Sequence, residues 1–92
     1  MEKLSRTEVY RLIDGERDYQ NNLADHKGWI EGDRTPATKV ADFITLLDVY
    51  VQRAQAAYAD NSGDEPALDV IRKIAGIAVH CMEKNGAPER KL

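Results

Sequence analysis

Residues 67–86 read ALDVIRKIAGIAVHCMEKNG, and this stretch decides the fold. Leu68, Val70, Ile71, Ile74, Ala75, Ile77, Ala78, Val79, Cys81 and Met82 spread around most of a helical circumference. That distribution belongs to a helix with packed neighbours on more than one side, a central buried helix. Asn85 and Gly86 supply a left-handed C-terminal stop, and Pro88 is a second breaker. Pro66 opens the helix, with Asp64 or Glu65 as its cap, so helix 3 is expected over about residues 66–85. Its polar residues fall in one narrow stripe: Asp69, Lys73, Gly76 and His80 at spacings of four, three and four, with Arg72 beside them. A helical glycine costs roughly 1 kcal/mol against alanine, so Gly76 on that stripe points to close approach by a ligand or another backbone.

Working toward the N-terminus, DNSGDEP at 60–66 is a compact turn. Before it, Val40, Phe43, Ile44, Leu47, Tyr50, Val51, Ala54 and Tyr58 recur on one face of an amphipathic helix. Thr35 as N-cap and Pro36 in the first helical position start helix 2, which is expected over about residues 36–59. Helices 2 and 3 therefore form an antiparallel hairpin, with Leu47, Ile74, Ile77 and Ala78 in core or interface positions. At the start of the chain, Ser5 followed three residues later by Glu8 is a capping box. Val9, Leu12, Ile13, Tyr19 and Leu23 continue at helical spacing, setting helix 1 over about residues 6–22. The segment DHKGWIEGDRTP has neither period and falls in a connection over 23–35, anchored by Trp29.

The expectation is one all-α domain over residues 1–92, whose three helices complete a bundle by homo-oligomerisation, as a dimer or a higher assembly. A chain of 92 residues buries a small share of its surface, and self-association is the natural supplement. A single cysteine allows no internal disulfide and suits a reducing compartment, the cytoplasm. No apolar run reaches the roughly 18 residues that span a bilayer, and the N-terminus lacks the apolar core of a signal peptide, so no membrane partner is expected. Net charge is −3 with Lys and Arg dispersed, which argues against duplex nucleic acid. A small anionic ligand needs only two or three converging cations.

Arg53, Arg72 and Lys73 are the cations nearest the polar side of the hairpin, with Gly76 and His80 on the same stripe. His80 can donate to a phosphate. It cannot easily chelate a metal with Cys81, because consecutive helical residues point about 100° apart, and Cys81 belongs to the core. Glu16 and Gln20 lie near the apolar line of helix 1 and need partners there, an interhelical or intersubunit hydrogen bond before a ligand. Arg17 reads as an exposed cation. Trp29, with Lys27 and Arg34, either caps the open end of the bundle or stacks on a nucleotide base.

From about Thr38 to Arg90, through LLDVYVQRAQAAY and ALDVIRKIAGIAVHCMEKNGAP, the chain resembles short phage-encoded proteins grouped as MazG-like, the all-α nucleoside triphosphate pyrophosphohydrolases. The resemblance implies a helical bundle completed by dimerisation, with a nucleotide between helices. It also implies acidic pairs, three residues apart on successive helices, that hold magnesium. Here Asp48 is followed three residues on by Val51, and Asp69 by Arg72. With the acidic pairs incomplete and Arg53, Arg72 and Lys73 nearby, the groove suits direct pairing with phosphate oxygens. The expected function is non-hydrolytic binding of a small phosphate-bearing nucleotide, with no cofactor required, and with Tyr50 or Trp29 on the base. By analogy with small phage proteins that sequester nucleotide immune signals, such a protein would act against host defence in the host cytoplasm. Two alternatives stand beside it. One is a magnesium-dependent pyrophosphohydrolase using Asp48 and Asp69, and the other is a helical protein-interaction module.

Overall fold

The computed structural model describes residues 1–27, 39–61 and 63–91, apart from the side chains of 23–27 and 61. Among these residues every regular element is helical: α1 (Arg6–Lys27), α2 (Val40–Asn61) and α3 (Asp64–Asn85). Ser5 caps α1 through its hydroxyl, which accepts the Glu8 amide at 3.2 Å. Helical hydrogen bonding then passes the exposed Gly15 and continues to Lys27, beyond the expected end at Asn22. The next residue in the sequence is Gly28, so the chain has no strong breaker before that point. Thr35 and Pro36, the expected start of helix 2, lie outside the described residues.

The start of α3 departs from the expected cap. Gly63 is the N-cap in an extended conformation without a side-chain cap, and Asp64 and Glu65 sit inside the first turn. Their carboxylates meet the positive end of the helix dipole there, and Pro66 has no N–H to leave unbonded. At the other end Gly86 takes φ +93°, and its N–H donates to the Met82 carbonyl at 2.8 Å. That positive φ is the reason for glycine at this position.

α3 is the central element. It packs extensively on α2 and more sparsely on α1, while α1 and α2 make no direct packing among the described residues. Phe43, near the start of α2, meets His80, near the end of α3, so these helices run antiparallel. Between them Phe43, Leu46 and Ile77 are buried, with Leu47, Tyr50 and Cys81 packed around them. Among the described residues this apolar core is drawn from α2 and α3.

α1 joins differently. Among its described side chains those buried are polar, Glu16, Arg17 and Gln20, and the apolar Val9 and Leu12 remain exposed. At the buried Gly76 the side chains of α1 approach α3 closely, for a β-carbon there would lie 2.8 Å from Gln20 Nε2 and 2.9 Å from Glu16 Cγ. No described helix is long and apolar enough to cross a membrane.

Candidate functional site

The polar stripe of α3 divides between its neighbours: Gly76 and the Lys73 carbonyl meet α1, while His80 packs on Phe43 of α2. Asp69, Gly76 and Glu83 recur every seven residues, two helical turns, and so share the face that meets α1. At the middle of that face the missing side chain of Gly76 admits Glu16 and Gln20. The space expected for a ligand is thus filled by the protein itself.

Around this contact the polar groups are paired. Glu16 Oε1 accepts Arg72 Nε at 3.0 Å, and Glu16 Oε2 accepts Gln20 Nε2 at 3.2 Å. The same Gln20 amide donates to the Lys73 carbonyl at 3.2 Å, tying α1 to the α3 backbone. Arg72 Nη2 donates to Asp69 Oδ1 at 2.6 Å, and Lys73 Nζ lies 3.4 Å from Asp69 Oδ2. Burial opposes ionisation of Asp69, but the Arg72 hydrogen bond and the charges of Arg72 and Lys73 outweigh it and hold its pKa below the ordinary carboxylate value. The Glu16 hydrogen bond raises the Arg72 pKa further, so this guanidinium is permanently charged.

Arg17 corrects its expected role as an exposed cation, for its side chain is only 6% exposed. Its Nε donates to Glu83 Oε1 at 2.7 Å, Nη1 to Gln20 Oε1 at 3.2 Å and Nη2 to Asn21 Oδ1 at 2.8 Å. A long side chain lies along the helix interface with its fork satisfied at the edge, which the local pattern of α1 cannot show. Glu83, the partner that the sequence did not single out, had one signal: its seven-residue spacing from Gly76.

His80, the expected donor to a phosphate, stands in the packing between α2 and α3. It is buried beside Phe43, ring centroids 5.2 Å apart and planes at 72°, an edge-to-face packing. Burial lowers its pKa, as do the Arg17 and Lys84 charges, against the opposing pull of Glu83. A neutral imidazole enclosed in the core offers no charge to a phosphate.

On α2, Asp48 is exposed and accepts Gln52 Nε2 at 3.0 Å. The Arg53 guanidinium carbon stands 4.7 Å from the centroid of the Tyr50 ring, a cation–π arrangement over one ring face. Trp29 lies outside the described residues. Among those described, no three His, Cys, Asp or Glu side chains come together as a metal site would require.

Beside the Arg72 cluster an apolar groove of about 790 Å³ opens between the N-terminal half of α1 and that of α3. Val9, Leu12, Ile13, Leu68, Ile71 and Ala75 supply its walls together with Met1 and Leu4, and its charged residues are Arg72 and the carboxylates Glu2, Glu65 and Asp69. The groove brings together Arg72 and Asp69 from the sequence-derived set. Lys73, Gly76, His80, Asp48, Tyr50 and Arg53 do not line it. Its volume falls in the range of small-molecule sites, and a cation beside apolar walls can take the anionic part of a ligand whose body is flat and apolar. Compared with protein-family models, curated proteins and solved structures, the chain matches none.

Proposed function

We propose that the protein binds a small phosphate-bearing nucleotide without hydrolysing it, with the phosphate on Arg72 and Lys73 and the base against the walls of the α1–α3 groove. The supporting observation is the place of Arg72 beside an apolar groove of about 790 Å³, its side chain 39% exposed. A guanidinium has five donor hydrogens, and the Glu16 and Asp69 contacts engage only Nε and Nη2. Further oxygens can therefore be met at the exposed side. Capture rather than turnover is the role for such a site, in keeping with sequestration of a nucleotide signal by a phage protein.

The experiment is calorimetry or native mass spectrometry against linear and cyclic nucleotides, with Arg72→Ala and Lys73→Ala alongside the unaltered protein. Losing one charge-assisted contact should weaken binding by about tenfold to a hundredfold. Unchanged affinity in both variants moves the site elsewhere. Release of pyrophosphate in the presence of magnesium, lost in Asp69→Asn, makes the hydrolase reading correct instead.

The reading includes self-association through α2. Ile44, Val51 and Tyr58 stand seven residues apart on one flank of the helix and are 61%, 41% and 58% exposed, with Val40 in line above them. Seven residues make two turns, so these side chains form a continuous apolar strip of the kind that pairs helices. The same strip favours the second reading, a helical module that docks on another protein. Finding no nucleotide bound under any condition, together with a stable monomer in solution, would make that module the better account.

A further inference from the structure

Resting on the nucleotide-binding reading, we infer that the two carboxylates on Arg72 have opposite roles. Asp69 is a built-in stand-in for the ligand's oxyanion and is displaced on binding, whereas Glu16 is a positioning residue that keeps its hold on Arg72. The distinction comes from solvent access. The Glu16 side chain is 5% exposed and that of Asp69 is 49% exposed.

A buried carboxylate that loses its cation cannot be rehydrated, and it resists the loss strongly. Glu16 has Arg72 as its cationic partner, and its other oxygen is fixed by Gln20, which in turn is bonded to the Lys73 carbonyl. The Cγ of Glu16 is wedged over Gly76, so the carboxylate has little room to swing outward. Asp69 differs on each count. Its carboxylate stands at the surface, and water replaces a lost cation there at small cost. An arriving phosphate therefore takes the place of Asp69 Oδ1, 2.6 Å from Arg72 Nη2, and gains Lys73 from the same exchange, because Lys73 Nζ is held by the other Asp69 oxygen. Glu16 meanwhile anchors Nε and fixes the plane of the guanidinium, so Nη2 keeps the surface position at which it meets Asp69.

Opposite effects of two charge-neutralising substitutions follow. Removing the competitor in Asp69→Asn tightens binding, by about twofold to fivefold given the worth of exposed ion pairs. Removing the anchor charge in Glu16→Gln brings no gain, or weakens binding, because Arg72 is then free to leave its orientation. Neutralising any nearby carboxylate favours an anion through the field alone, so the contrast between the two variants carries the distinction.

The test uses the full chain with ADP and inorganic pyrophosphate as probes, titrated by calorimetry at low ionic strength. In parallel, the nitrogen–proton NMR signal of Arg72 Nε is followed in each protein. The expected result is tighter binding by Asp69→Asn, equal or weaker binding by Glu16→Gln, and an Arg72 Nε–H signal that persists at ligand saturation. Three outcomes overturn the inference while leaving the nucleotide reading intact: binding that Asp69→Asn does not strengthen, a gain in Glu16→Gln that equals or exceeds that of Asp69→Asn, or collapse of the Arg72 Nε–H signal as ligand is added. If neither probe binds the unaltered protein or Asp69→Asn, and the wider nucleotide panel also fails, both readings fall together. Circular dichroism on Glu16→Gln separates loss of orientation from loss of α1, and should show unchanged helix content.

Discussion

Gly76 on α3 lies directly beneath Gln20 of α1, so that a β-carbon at position 76 would stand 2.8 Å from the Gln20 amide nitrogen. Gln20 is buried and bonded to both Glu16 and the Lys73 carbonyl, so its end is not free to move aside. Gly76→Ala should therefore cost about 1–3 kcal/mol of stability, even though alanine is the better helix former by roughly 1 kcal/mol. Gly15 provides the control, since nothing lies within 4 Å of its would-be β-carbon. Gly15→Ala should stabilise by about 0.5–1 kcal/mol. Urea denaturation of the two variants checks both signs.

Replacing Arg17 separates charge from packing. Arg17→Ala removes four hydrogen bonds to three residues and the covering stem, and should destabilise by about 1.5–3 kcal/mol. Arg17→Met retains most of the apolar volume and leaves the half-exposed Glu83 to water, so its loss should be smaller. Equal losses in the two variants would show that the hydrogen bonds dominate and the packing contributes little.

Stability should fall in acid through two separate windows. His80 has a folded pKa below its ordinary 6.5, from burial first and then the Arg17 and Lys84 charges. A lowered pKa means that the unfolded chain binds the proton more readily, so this contribution is present above pH 6.5 and drains away as pH falls through the folded value. Glu83, lowered chiefly by its Arg17 hydrogen bond, and Asp69, where the arginine and lysine contacts outweigh burial, act below their ordinary values of 4.5 and 3.8. Denaturant midpoints measured across pH should show both steps. His80→Gln should flatten the upper one and leave the lower.

The exposed strip of α2 gives a direct test of self-association. Val51 is exposed and lies outside the buried face that Phe43, Leu46 and Tyr50 turn toward α3. Val51→Glu should therefore leave helix content unchanged while placing repelling charge at the centre of the proposed interface. Analytical ultracentrifugation should show assembly in the unaltered protein and a monomer in the variant. A monomer in both would remove the strip as a self-association surface.

By itself the sequence determined the helices and the hairpin. Periodicity, the Ser5 cap and the Gly86 stop are local signals, because a helix satisfies its backbone within a few residues and presents a repeating face. The apolar excess of residues 67–86 likewise marks α3 as the element with neighbours on both sides. The place where α3 meets α1 was only partly legible. Gly76 signals a close approach, and Glu16 and Gln20 need partners, but sequence spacing does not identify what approaches. Tertiary structure decided that the visitor is α1, that Arg17 is buried and paired with the half-exposed Glu83, and that His80 packs against Phe43. These are pairings across as many as 66 residues of chain, as between Arg17 and Glu83. They depend on how two helices cross, and a polar residue reads the same in a local pattern whether water or another helix will satisfy it.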